Sequence, residues 1–431
     1  MEQAVLLKSV RVHDPKGPWH NQVVDVLLDQ GQIADVAANL DAPQAKSLHV
    51  EGSSLSVGWI DGQAHFREPG EETKEGIASG LNAAALGGFT SVAVLPSTSP
   101  CVDHTSAVRN VLALSQRAHD LGIPSTALPM ACLSEGGHGQ QLSEMHDMSE
   151  AGAVAFTDDA PQNRVSMLQR ALTYSEVHGK VVMDVPLDRD FNTGGLMHEG
   201  LVSTEMGLIG IPSEAETSRV ARNLDVLRYA GGRLHFSVVT AAESVRLIRE
   251  AKKEGLNVTC ATTAPHLIYC DEDLRNFEGT LRVHSPFRSA EDRESLRQGV
   301  LDGTIDMVVS DHRPEDLEHH DVEFMLSPEG IASLPSAFAL ALTGLEASGA
   351  SHDQSVSALI AALTTGPEHV LSLGHRHVEQ GAPCDLTWFK SNHPHTPHSG
   401  TKGVNLPPLR EGMQGHVLGV FKDARHWVAQ S

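Results

Sequence analysis

Histidine is over-represented in this chain: 25 of 431 residues carry an imidazole, the side chain that both ligates metals and changes charge near neutral pH. Position matters more than number. The segment Trp59 to Gly70 carries Asp61, Gln63, His65 and Arg67; Asp158 and Asp159 follow Gly152–Thr157; Asp184 closes the run from Val181; His235 lies within Arg233–Val239; and Asp311 follows Ile305–Ser310. Two chemistries are open to such a set. Imidazole and carboxylate donors could hold a hard divalent ion in an oxygen-rich site. Without an ion, His65 and Asp311 could hydrogen-bond each other or Arg67. Asp158 and Asp159 could then cap the following helix, and His235 and His266 could be satisfied core or loop histidines. His393, His395 and His398 lie in a Pro-rich stretch, where a solvated loop is the default. The cysteines, Cys101, Cys132, Cys260, Cys270 and Cys384, are scattered and form no Cys-x-x-Cys pair. That suggests neither a disulfide framework nor a thiolate zinc site, and a reducing cytoplasm as the home.

The elements that must position these side chains show in the hydrophobic pattern. Short β-branched runs at Leu55–Ile60, Thr90–Leu95, Ser125–Cys132, Ala153–Phe156, Val181–Val185, Arg233–Val239, Asn257–Ala261 and Ile305–Val309 alternate with helical stretches. Lys74–Leu86, Ala107–Leu121, Val165–Val177, Ala241–Ala251 and Ala290–Leu301 carry apolar residues at spacings of three and four. Eight such units predict an α/β fold, a (β/α)8 TIM barrel; an open doubly wound sheet is the alternative, but no G-x-G-x-x-G follows the first strand. Alternating segments near both termini predict a composite β subdomain from residues 1–54 and 380–431, around a barrel of residues 55–379. A glycine-rich insertion, Leu187–Glu216, follows the fifth strand and should lie over the barrel mouth or against a partner. The balance of 32 Lys and Arg against 55 Asp and Glu, a net charge of −23, argues against nucleic acid and anionic membrane as partners. No apolar run approaches the ~20 residues of a membrane span, and the first residues do not read as an export signal.

The first strand runs into Asp61-Gly62-Gln63-Ala64-His65-Phe66-Arg67-Glu68-Pro69-Gly70, which resembles the Asp-x-His-x-His-x-Arg-x-Pro-Gly motif of the dihydroorotases, within the amidohydrolase superfamily. The resemblance extends through Gly152–Asp159, His198–Glu216, Thr263–Leu267, Arg282–Leu296 and Gly303–Glu315. It implies an amidohydrolase-type barrel whose mouth holds two divalent metals. These share a hydroxide, lowering water's pKa from 15.7 to about 7, and polarise an amide carbonyl. The bacterial members that this chain resembles use two strand-one histidines, a bridging Asp after strand four, a His after each of strands five and six, and an Asp after strand eight. Here Gln63 replaces the first histidine, His65 is kept, Asp158 is kept, Asp184 stands for the strand-five histidine, Val238 for the strand-six histidine, and Asp311 is kept. The substrate-carboxylate positions read Arg67 (kept), Ser97 and His284 (each for Asn), and Glu315 for the last His of Asp-His-Ala-Pro-His.

This pattern is most similar to the inactive dihydroorotase-like subunit that associates with bacterial aspartate carbamoyltransferase. It implies a non-catalytic chain of pyrimidine biosynthesis, with vestigial positions at the mouth, no expected cofactor, and hetero-oligomer and homodimer assembly. The alternative is an active hydrolase of cyclic amides with one divalent metal such as zinc at His65, Asp158 and Asp311, helped by Gln63. The strand-five insertion, with Leu196, Met197, Met206 and Ile209, is the first candidate for an assembly surface.

Overall fold

The computed structural model describes residues 3–161, 164–191, 193–397 and 400–429. Eight short parallel strands form the centre: β1 (Trp59–Ala64), β2 (Phe89–Val94), β3 (Thr126–Pro129), β4 (Ala155–Phe156), β5 (Val181–Asp184), β6 (Leu234–Phe236), β7 (Val258–Thr263) and β8 (Met307–Val309). One arc is β1-β2-β3 and the other is β4-β5-β6-β7-β8. The arcs join where Ala131 pairs with Phe156 and Ala64 with His312, both in parallel. The Asp311 amide donates to the Gln63 carbonyl at 3.1 Å, and the His65 amide to the His312 carbonyl at 2.8 Å. The ring therefore closes as a barrel.

Both faces of most strands are covered, so those strands read as apolar runs rather than alternations, while β3 alternates buried with half-buried residues. Ile60, Ala93, Met130, Met183, Met307 and Val309 share one buried cluster, while Phe89, Val92, Phe156, Val182 and Phe236 pack in a second with helix residues such as Leu81, Leu168 and Val220. Gly62 leaves room for Met307, whose Cε lies 2.8 Å from where a Cβ would stand. The expected helices are present, among them Ile77–Leu86, Thr105–Asp120, Val165–His178, Ala242–Lys253 and Ala290–Leu301. Among the described residues no helix is long and apolar enough to cross a membrane.

The two termini build one further sheet, in the order Arg425–Val428, Gln414–Lys422, Asp385–Pro394, Ser54–Val57, Val5–His13, Val23–Asp29 and Gln32–Ala37, with Lys46–His49 alongside Val5–His13. The apolar run Leu55–Ile60 is thus two strands. It divides at Gly58, where a Cβ would overlap Asp385 and Thr90 side-chain atoms, and the terminal sheet extends to Val57. The Pro/His-rich stretch also begins as strand, through Pro394. Trp59 packs at a tilt against Phe338 and Phe389, with ring centroids 4.4 and 5.2 Å apart, fastening barrel to sheet. In the strand-five insertion, Met197–His198 pairs with Gly210–Ile211 around the short helix Leu201–Met206.

Candidate active site at the barrel mouth

The loops after β1, β2, β4 and β8 converge, and their side chains are tied to one another. Gln63 donates from Nε2 to Asp311 Oδ1 at 2.8 Å. His65 Nδ1 accepts from the Arg67 amide at 3.0 Å, so Nε2 carries the proton and donates to the Ser97 carbonyl, also at 3.0 Å. Both ring nitrogens are committed. Burial, reinforced by the nearby Arg67 and Arg313, lowers this imidazole to about 4. Beneath it Asp61 accepts from the Ser310 and Gln63 amides, locking β1 to β8, and burial pushes its carboxyl up to about 7.

Arg313 occupies the centre of the mouth. Its guanidinium donates to both oxygens of Asp159, at 3.0 and 2.6 Å, and from Nε to Asp311 Oδ1 at 3.1 Å. One cation thereby spans the ends of β4 and β8. Asp159 also accepts from Ser97 Oγ at 2.7 Å. Its burial favours the neutral acid, but Arg313 outweighs this and brings the carboxyl down to about 2. Arg67, Asp159 and Asp311 hold positive φ of 59°, 52° and 46°. Left-handed backbone at non-glycine residues is costly and clusters at sites where side-chain aim matters.

The other positions face elsewhere. Asp158 accepts from the Ser134 amide and hydroxyl at 2.9 and 2.7 Å. Neither Asp158 nor Asp159 caps a helix, since the next one starts at Val165 after Arg164. Asp184 is fully buried against Arg219 and Asn223 of the helix Glu214–Ala230, with contacts of 3.1, 3.2 and 2.7 Å. Val238 is buried and offers no donor. His235 sits between Met183 and Thr259 on adjacent strands. Its Nδ1 meets Thr259 Oγ1 at 2.8 Å, while Nε2 is buried with no hydrogen-bond partner among the described residues. It is half satisfied rather than fully so, and burial lowers it to about 3. His266 is satisfied, by Thr263 Oγ1 and the Ser285 carbonyl.

The expected carboxylate-binding cation is also engaged. Arg67 reaches Glu315 at 2.5 Å and Glu71 at 3.2 Å, and Lys74 bridges the same two acids at 2.9 and 2.7 Å. Glu315, expected to repel an anion directly, instead pairs with the arginine that would bind one. His284 faces Glu329 at 3.1 Å, and the Ser97 hydroxyl is given to Asp159.

Comparison with known proteins gives the family. A family model described as Dihydro-orotase-like matches residues 52–244. A dihydroorotase of Pelotomaculum thermopropionicum is 39% identical over 384 residues, covering 89% of this chain and 88% of that protein. One from Pelobacter propionicus is 33% identical over 426 residues, 98% of each chain. The chain belongs to the dihydroorotase-like family. Its fold is also that of the L-hydantoinase of Arthrobacter aurescens, with a TM-score of 0.80 at 18% identity over 100% of this chain and 98% of that one.

Set against the metal pair that the family resemblance implies, the donor atoms of this dihydroorotase-like chain do not fit. His65 has no free lone pair, Asp158 is turned to Ser134, Asp184 to Arg219, and Asp311 to Gln63 and Arg313. Among the described residues no three His, Cys, Asp or Glu side chains converge as a metal-binding group. The same geometry does not fit the single ion at His65, Asp158 and Asp311. His398 lies outside the described residues; His393 and His395 are engaged by the Pro394 and Gly415 carbonyls. Arg313 is the residue the sequence reading passed over. The signal was present, because Arg313 stands where the family's Asp-His-Ala-Pro-His has Ala.

Proposed function

We propose that this chain is a non-catalytic dihydroorotase-like structural subunit that supports assembly and activity of aspartate carbamoyltransferase in pyrimidine biosynthesis. The observation that carries the reading is Arg313: its guanidinium fills the space between the carboxylates of Asp159 and Asp311. A fixed protein cation there takes the counter-charge role of a metal without providing a bound hydroxide. The Arg67 that would grip an anionic substrate is spent on Glu315 and Glu71. Fold alone does not decide activity, and the site geometry supports the non-catalytic reading. Purification of the chain from its native organism should bring down an aspartate carbamoyltransferase catalytic chain, and the purified chain should neither hydrolyse dihydroorotate nor cyclise carbamoyl aspartate above background. Isolation without that companion, or turnover at ~1 per second or more, overturns the reading.

A second reading is favoured by one finding: relatives up to 39% identical over 89% of this chain are named dihydroorotase. An active cyclic-amide hydrolase of that kind would require His65 and Asp311 to release Ser97 and Arg313 so as to hold one divalent ion. Assays with added zinc or manganese test it, and turnover abolished by Asp311→Ala would establish it.

A further inference from the structure

Exposed apolar side chains occur on the outer helices, as at Tyr174 and Tyr229, and also at the mouth end of the barrel. Ile209 follows β5, Phe277 follows β7, and Leu317, Met325 and Leu326 follow β8, with exposures of 51, 49, 64, 60 and 72%. All lie in the segments that follow strands at the mouth end of the barrel, Leu317 at the start of the short helix Leu317–His320. Hydrogen bonds join these segments into one rim: Arg275 to Glu205 at 2.6 Å, Arg282 Nη1 to the Met325 carbonyl at 3.2 Å, and the Val404 amide to the Glu315 carbonyl at 2.9 Å. Phe277 packs edge-on against buried Phe324 at 6.0 Å. The apolar groups are thus held on fixed backbone, which lowers the entropic cost of binding.

The part of the rim that follows β8 is acidic, whereas Arg275 and Arg282 beside it are paired with Glu205, Glu272 and Glu329. Residues 315–329 contain six acids and no Lys or Arg, and Glu318, Asp321 and Glu323 are exposed between Leu317 and Leu326. Contiguous exposed apolar surface bordered by polar groups marks an interaction site. We infer that the rim formed by Phe277 and residues 317–326 is a docking surface for a protein partner whose own face is basic around apolar recesses. A second copy of this chain does not suit it, because a two-fold contact would set acid against acid. Nucleic acid and anionic lipid are repelled by the same charges. The inference rests on the structural-subunit reading and assigns the surface on which that subunit meets its partner.

The test measures association of the full-length chain with the aspartate carbamoyltransferase catalytic chain by sedimentation, for wild type, Leu326→Asp, Leu317→Asp and the charge variant Glu318→Lys/Asp321→Lys/Glu323→Lys. Tyr174→Ser and Tyr229→Ser, exposed on the outer helices, serve as comparison. Each rim variant should weaken association about tenfold or more, as loss of a hot-spot anchor does, and rising salt should weaken the wild-type complex. The outer-helix variants should bind as wild type. Hydrogen exchange on the wild-type complex gives a second readout that no folding defect can mimic: amides of residues 316–326 should gain protection. Unchanged binding by the rim variants overturns the docking surface and leaves the subunit reading standing. No association by the wild-type chain overturns both. Self-association abolished by Leu326→Asp would make the occupant a second copy and overturn the basic partner.

Discussion

At the scale of single residues, Arg313 holds the mouth together, because removing it leaves the largely buried carboxylates of Asp159 and Asp311 without their shared cation. Breaking a buried pair by deleting one partner costs about 3–5 kcal/mol. Arg313→Ala, which restores the family's residue, should lower unfolding free energy by about 3 kcal/mol in urea titrations. Restoring donors through Gln63→His and Val238→His should raise zinc binding in equilibrium dialysis only when Arg313→Ala accompanies them. A second consequence concerns acid. Burial holds His65 and His266 at about 4 and His235 at about 3, below the ~6.5 of an unfolded chain. As pH falls below 6.5 the unfolded state takes up protons that the folded state refuses. Stability is therefore fully present above 6.5 and is lost progressively toward 4, by up to ~1.4 kcal/mol per pH unit for each group. The urea midpoint should fall between pH 7.5 and 5, and His266→Gln should shallow that fall. Residue identities were legible in the sequence; partners were not. Asp184 stood at a ligand position, but only the fold brings Arg219 from 35 residues away onto it.

Elements were the most legible level where burial is two-sided. The strands β2 and β7 overlap the expected runs Thr90–Leu95 and Asn257–Ala261 to within two residues at each end, and the helix Ala290–Leu301 has the bounds its periodicity marks. The failures have one cause, which is that neighbouring layers override local pattern. Leu55–Ile60 reads as one strand yet is shared between two sheets. Met197, a candidate for an exposed anchor, is buried, whereas Ile209 from the same insertion is exposed. The insertion is fixed by Arg288, which has no side-chain exposure and reaches Glu216 at 3.3 Å, Thr240 Oγ1 at 2.7 Å and the Ile211 carbonyl at 3.5 Å. That cation ties the insertion, the helix Glu214–Ala230 and the loop after β6. Glu216→Gln strands it, and should cost about 3–5 kcal/mol. Unfolding in urea measures the loss, and limited proteolysis should then cut first within 187–213. An unchanged midpoint would show that the insertion is held by its apolar contacts alone.

For the whole molecule, a net charge of −23 would speed encounter with a basic partner, since long-range charge sets encounter rates. The interior of the mouth and its rim then have separable roles. The interior is a hydrogen-bonded lattice of Gln63, Arg313, Asp159 and Asp311, whereas the rim carries exposed apolar groups amid acids. If the chain acts by assembly, conservative changes to the interior that keep its packing, His65→Gln and Asp311→Asn, should leave the size of the complex and the partner's carbamoyltransferase activity unchanged, because no transition state is stabilised there. Sedimentation and activity assays on the same reconstituted samples measure both. Loss of partner activity in a complex of unchanged size would reveal a ligand-sensing or catalytic role around Arg67 and reverse the assignment of the interior as silent.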